Sequence, residues 1–269
     1  MPNAELGDVT LNYREHGEGP PVLGIMGFAS DQRLWAAQIP AVTRTHRFIT
    51  FDNRGVGRSS KSVASTMDQF ADDAVRLLDH LGIDKTVVFG ISMGGAIAQR
   101  LVLDHPDRVS ALILAMTFAR PIEFMRRQHD LTRILVNAAG PDALLQGSLI
   151  RMFTPRFFEM GREVIDRIVL SFAATNGPEM PQTEVILGQL DALDKHDTLG
   201  DLHRVSVPTL VLGAKNDQMV PFLGSEEIAA TIPGAEFVAF ETGHGAPVEE
   251  MEAFNSAVSG FLARVTAGS

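Results

Sequence analysis

The sequence predicts an α/β fold, a mostly parallel sheet with helices on both faces, and three observations carry that expectation. Over residues 1–120 short apolar runs alternate with amphipathic stretches, the order produced when helices cross over between parallel strands. The same alternation returns within residues 201–269. Residues 121–200, in between, hold helical patterns and no convincing strand. That middle stretch reads as an insertion over the carboxyl ends of the strands, where open α/β sheets bind ligands.

Taken in order, strands are expected at 9–15, 21–26, 47–52, 86–91 and 110–116. Thr66, with Gln69 three residues on, forms a capping box for a helix whose Phe70, Ala74, Leu77, Leu78 and Leu81 share one face. Gly82 stops it, because glycine accepts the left-handed conformation that ends a helix. A second helix starts after Ser92, carries Ala96, Ile97, Leu101 and Val102, and ends at His105-Pro106. The insertion has helical patterns at 124–138 and 157–172, rich in Phe, Met, Leu and Ile. A strand at 207–213, a helix at 223–231, a strand at 236–240 and a helix at 247–262 follow. On the last helix Met251, Phe254, Val258 and Phe261 form an apolar stripe for core packing.

The chain of 269 residues is 45% apolar, enough for a substantial core. Thirty-three acidic against 23 basic residues give a net charge of −10, which repels phosphate backbones and anionic membranes. Neither nucleic acid nor a membrane is therefore an expected partner. The absence of cysteine excludes disulfides, a thiol nucleophile and thiolate metal sites. His16, His46, His80, His105, His129, His196 and His203 show no His-x-x-x-His or His-x-His spacing, so no metal is expected. No Gly-x-Gly-x-x-Gly or Walker-type loop implies a nucleotide, and no cofactor is expected. The amino terminus lacks the basic and apolar regions of a secretory signal, and the longest strongly apolar stretch, 111–116, is too short to span a bilayer. A cytoplasmic protein is expected, and a homo-oligomer stays open.

Gly90-Ile91-Ser92-Met93-Gly94-Gly95 fits Gly-x-Ser-x-Gly between a β-rich run and an Ala-rich helix. Chance would supply the bare pattern in roughly one chain in ten of this length, so its setting is what makes it informative. A tight strand-to-helix turn strains the serine backbone and holds the hydroxyl out for attack, while small neighbours let strand and helix pass. The helix amino end then offers free N–H groups where negative charge develops.

At this point the chain resembles the α/β-hydrolase family through nearly its whole length. Phe51-Asp52-Asn53-Arg54-Gly55-Val56-Gly57-Arg58-Ser59 resembles the family's Asp-x-Arg-Gly-x-Gly-x-Ser turn, and His105-Pro106-Asp107-Arg108-Val109 its link to the sixth strand. The resemblance implies an eight-stranded sheet, with residues 1–120 and 201–269 as the core and 121–200 as a helical lid inserted after strand 6. It also implies the chain order Ser, Asp, His. Ser92 is then the nucleophile, His244 in Thr242-Gly243-His244-Gly245 the base, and Asp217 the acid that orients it. Asp191, Asp194 and Asp197 are rival carboxylates, but none follows a strand. For the oxyanion hole the resemblance points to the backbone N–H groups of Met93 and Phe28. The chain departs from the family at Met26-Gly27-Phe28, where a His-Gly pair is usual.

The implied activity is hydrolysis of carboxylic esters or lactones, similar to carboxylesterases and 3-oxoadipate enol-lactonase. The apolar insertion points to small or medium apolar substrates. Trp35, Phe124, Met125 and Met219 are candidate substrate-binding residues, Trp35 more as a packing residue than as pocket lining. Arg120, Arg126 or Arg127 could bind a substrate carboxylate. A carbon-carbon bond hydrolase with the same triad is the alternative, and a non-catalytic ligand receptor on this scaffold a further one.

Overall fold

The computed structural model describes residues 2–163, 165 and 180–267. Its sheet has the order β1-β2-β4-β3-β5-β6-β7-β8. The strands are β1 Asn3–Glu5, β2 Thr10–His16, β3 Pro21–Ile25, β4 Arg47–Phe51, β5 Thr86–Ile91, β6 Val109–Ala115, β7 Thr209–Ala214 and β8 Glu236–Phe240. β2 pairs antiparallel with β1 and β4, and every other pairing is parallel. β1 has no counterpart in the sequence expectation. It is three residues long, with Ala4 alone buried, too short to show a period.

The central strands are buried on both faces, and their side chains alternate between two cores. On β5 and β6, Val88, Leu112 and Leu114 enter one core, whereas Val87, Phe89, Ala111, Ile113 and Ala115 enter the other. The first core is closed by α2 (Met67–His80) and α3 (Met93–Asp104), and the second by α1 (Ile39–Val42) and the carboxyl-terminal helix. α2 follows its expected signals. Thr66 accepts from Gln69 N–H at 3.4 Å, the Gln69 side chain accepts from Ser65 N–H at 2.9 Å, and Gly82 sits at φ +65° past the end. Ile83 N–H reaches Leu78 C=O and Gly82 N–H reaches Asp79 C=O, closing a Schellman motif.

Between β6 and β7 the described residues form α4 (Glu123–Ala139), α5 (Asp142–Met152), α6 (Pro155–Phe158) and α7 (Thr183–Lys195). The expected helical pattern at 157–172 lies largely outside the described residues. After β7 come α8 (Phe222–Thr231), α9 (Ala246–Glu249) and α10 (Met251–Ala267). The single helix expected at 247–262 is thus two, broken at Glu250, whose ψ of 50° is not helical. The apolar stripe begins at Phe254 as a result, and Met251 is exposed rather than packed. Among the described residues no helix is long and apolar enough to cross a membrane.

The strand order fixes where a site can form. β3 and β5 are neighbours, yet the chain leaves β3 toward β4 on one side and β5 toward β6 on the other. The two loops diverge and open a crevice at the carboxyl edge. Ile25 pairs in register with Gly90, so residues 26–28 and 91–93 emerge side by side.

Candidate active site

Ser92 leaves β5 with φ 57° and ψ −123°, a region costly for any residue with a side chain. Its backbone is pinned at both ends: Ser92 N–H donates to Ala115 C=O at 2.9 Å, and Thr117 Oγ1 donates to Ser92 C=O at 2.7 Å. The glycines of the motif are required by contact. A Cβ at Gly90 would overlap the Gly94 carbonyl, one at Gly94 would overlap the Ile25 carbonyl, and one at Gly95 would lie 2.6 Å from Thr117. The described non-glycine residues at positive φ are Ala29, Ser92 and Met116, all at the carboxyl edge of β3, β5 or β6.

Asp217 and His244 lie in the loops after β7 and β8. His244 Nδ1 is 2.6 Å from Asp217 Oδ2, and both side chains are buried. Asp217 Oδ1 accepts from Met219 and Val220 N–H at 2.7 and 2.8 Å, so the carboxylate is fixed before it meets the imidazole. An ionised carboxylate only accepts, which places the proton on Nδ1 and leaves Nε2 as the basic nitrogen.

The histidine loop is clamped by the segment that ends α5. Glu249 accepts from Gly243 and Thr154 N–H, both at 3.1 Å, and from Thr154 Oγ1 at 2.6 Å. Gly245 N–H donates to Met152 C=O at 2.8 Å. These contacts explain the glycines that flank the histidine. A Cβ at Gly243 would stand 2.5 Å from Met152 C=O, and one at Gly245 would overlap the Phe153 ring.

The loop after β3, where Met26 stands in place of the usual family histidine, is held from outside itself. Buried Asn53 donates its amide to Met26 C=O at 3.1 Å, and buried Gln189 on α7 accepts from Ala29 N–H at 2.8 Å. Met26 itself packs with Trp35 in the second core. Gly27 keeps the loop against the serine, since a Cβ there would lie 3.1 Å from Ser92 Cβ. Phe28 lines the crevice, and Met93 heads α3, where first-turn N–H groups lack helical partners.

Three hollows share Phe28 and Met219, and two of them also share Ser92. One runs along His244, Pro247, Val248, Leu34 and Met152. A second runs beneath α4, α5 and α7 along Met125, Leu144, Leu190 and Arg151. Of the substrate-binding candidates, Met125 lines the second hollow and Met219 lines all three. The other two line none of them. Trp35 is fully buried beneath the loop, its ring 5.2 Å from Phe48 and 4.7 Å from Phe89, because Gly24 leaves room for it against the sheet. Phe124 is half exposed, since one step along α4 turns it away as Met125 turns in. Asn53, Gln189 and Arg151 lie outside the site that the sequence predicts. The legible signal for the last two is a polar side chain inside an apolar helical run, Ile186 to Leu190 and Leu149 to Phe153.

Burial raises the Asp52 carboxyl above the usual carboxylate range, against the pull of its hydrogen bonds from Gln32 and Arg58 N–H. It anchors the turn after β4 and lines neither hollow at Ser92.

Residues 20–250 match the sequence model of the alpha/beta hydrolase fold. The chain belongs to the alpha/beta hydrolase family. Among its relatives is a protein of Azorhizobium caulinodans assigned, by name, as the carbamate hydrolase RutD, 30% identical over 98% of this chain and 99% of the relative. The 3-oxoadipate enol-lactonase 2 of Acinetobacter baylyi is 30% identical over 96% of this chain and 94% of its own. A solved esterase from Thermogutta terrifontis shares 31% identity with this hydrolase at a TM-score of 0.84, covering 96% of this chain and 94% of that one.

Proposed function

We propose that this hydrolase cleaves carboxylic esters or lactones of small to medium apolar substrates through an acyl-enzyme on Ser92. The observation that carries the reading is the buried Asp217–His244 pair, whose histidine lines the hollow that also holds Ser92 at its strained turn. His244 Nε2 takes the hydroxyl proton as Ser92 Oγ attacks the carbonyl carbon. The N–H groups of Met93 and Phe28 hold the oxyanion, and collapse expels the alcohol, which leaves with the proton from His244. Water, deprotonated by His244, then attacks the acyl carbon and releases the acid. Helices α4–α7 act as a lid, and Phe28, Met125, Met152 and Met219 give the apolar contacts.

The name of the Azorhizobium relative favours a second bond, the carbamate. Its carbonyl suits the same attack, but the amide nitrogen lowers its reactivity. Incubation with a fluorophosphonate followed by mass measurement tests the nucleophile. Wild type gains one adduct on Ser92, S92A gains none, and S92A loses turnover of an aryl ester panel. An unmodified wild type, with equal ester cleavage by S92A, would overturn the reading. A parallel aryl carbamate series ranks the two bonds.

A further inference from the structure

The two hollows that share Ser92 have different walls, and the reaction tells which half of the substrate each takes. The departing alcohol must collect its proton from His244, which lines the first hollow and not the second. The leaving group therefore belongs in the first and the acyl chain in the second. Besides apolar residues, the acyl hollow is lined by Gln128, His129, Thr132, Ser148 and Arg151.

Arg151 is the unusual member. Its Nε donates to Gly147 C=O on its own helix at 3.2 Å, and a terminal nitrogen donates to Gln128 Oε1 at 2.8 Å. Both acceptors are neutral, and among the described residues no carboxylate pairs with it. The neighbouring Arg133 is matched by Asp191 and Asp194, and His129 Nδ1 lies 2.6 Å from Asp194. In a chain with ten more acidic than basic residues, a cation left without an acid in a ligand hollow is an exception. Burial also disfavours its charge, an unfavourable state that a ligand anion would relieve.

We propose that the acyl hollow binds a carboxylate on Arg151, so that preferred substrates are esters or lactones whose acyl half ends in a carboxylate. The assignment rests on the ester and lactone reading above. It also replaces the lid-entry arginines: Arg120 pairs with Glu227 and Arg127 with Glu123, and none of Arg120, Arg126 and Arg127 lines either hollow at Ser92.

Two ester pairs test it. Mono-4-nitrophenyl adipate and 4-nitrophenyl hexanoate share a leaving group and differ in a carboxylate on the acyl chain. 4-(Hexanoyloxy)benzoate and its methyl ester differ in a carboxylate on the leaving group. Wild type should favour the adipate in kcat/KM by about tenfold or more, chiefly through KM, the strength of a charge-assisted contact. It should show no such preference for the benzoate. R151Q should lower the adipate-to-hexanoate ratio by about tenfold and R151K should retain part of it, while R127Q keeps the wild-type ratio. A wild-type ratio near one, an unchanged ratio in R151Q, or a preference for the benzoate would each overturn the assignment. If R151Q does not fold by circular dichroism, the two wild-type ratios decide. Ser92 labelling with hexanoate turnover but no adipate preference removes this inference and leaves the ester reading standing. No labelling and no turnover removes both.

Discussion

Asp217 serves two loops with its two oxygens, one held by Met219 and Val220 N–H and the other by His244 Nδ1. D217N separates these duties. An asparagine oxygen still accepts from the two backbone groups, but its amide then meets Nδ1 as a donor and favours the tautomer with the proton on Nε2. The expected result is a kcat lower by on the order of 1,000- to 10,000-fold, with a thermal midpoint close to wild type. A loss under tenfold, measured on an ester that S92A does not cleave, would remove Asp217 from the acid's role. At this scale the sequence is informative about type and silent about cause. Gly243 and Gly245 stand out beside a histidine, but their necessity lies in the Met152 carbonyl and the Phe153 ring, some ninety residues earlier in the chain.

At the scale of elements, the loop after β3 is held from outside itself. Its Met26 carbonyl is tied to the turn after β4 through Asn53, and its Ala29 N–H to α7 through Gln189. The loop is thus held by two amides whose contacts local pattern does not give, because both act across long sequence separations. Gln189 is a positioning residue, and its effect should appear in the transition state. Q189A removes the side-chain acceptor of Ala29 N–H and lets Phe28 N–H drift from the position proposed for the oxyanion. We expect kcat to fall about tenfold with KM nearly unchanged. A purely structural role would lower the thermal midpoint and leave kcat of the folded enzyme intact. Elements with local signals were legible: the capped α2, its glycine stop, and seven of the eight strands to within two residues. β1 was not, being too short, nor was the break at Glu250, which follows from a dihedral angle rather than from a breaker residue.

For the molecule as a whole, the junction between core and inserted helices depends on a neutral histidine. His196, 4% exposed, follows α7 and meets the Phe118 ring edge-on at 5.7 Å. Beside it Thr198 Oγ1 donates to Gln99 Oε1 at 2.6 Å, and the Gln99 amide donates to Phe118 C=O at 3.1 Å. Both ends of the insertion are thereby joined to α3, the helix behind Ser92. Sequence spacing showed His196 only as a histidine without metal-site neighbours, because its burial is a product of this long-range closure. Burial, with the Arg100 charge nearby, pushes its pKa down to about 3. In the unfolded chain it takes up a proton near the ordinary value of about 6.5. Between those values the unfolded state holds the extra proton, so stability is complete above about pH 6.5 and is lost as pH falls toward 3. His16 and His46, also lowered by burial, act in the same direction. Asp52, raised by burial, acts in the opposite direction. Urea unfolding from pH 7 to 5 should therefore show free energy falling, with His196 adding a slope of up to about 1.4 kcal/mol per pH unit. H196Q should show a shallower slope, whatever its absolute stability. Equal slopes in the two proteins, or a His196 ring that titrates near 6.5 in the folded state by NMR, would show that the junction does not hold the imidazole neutral.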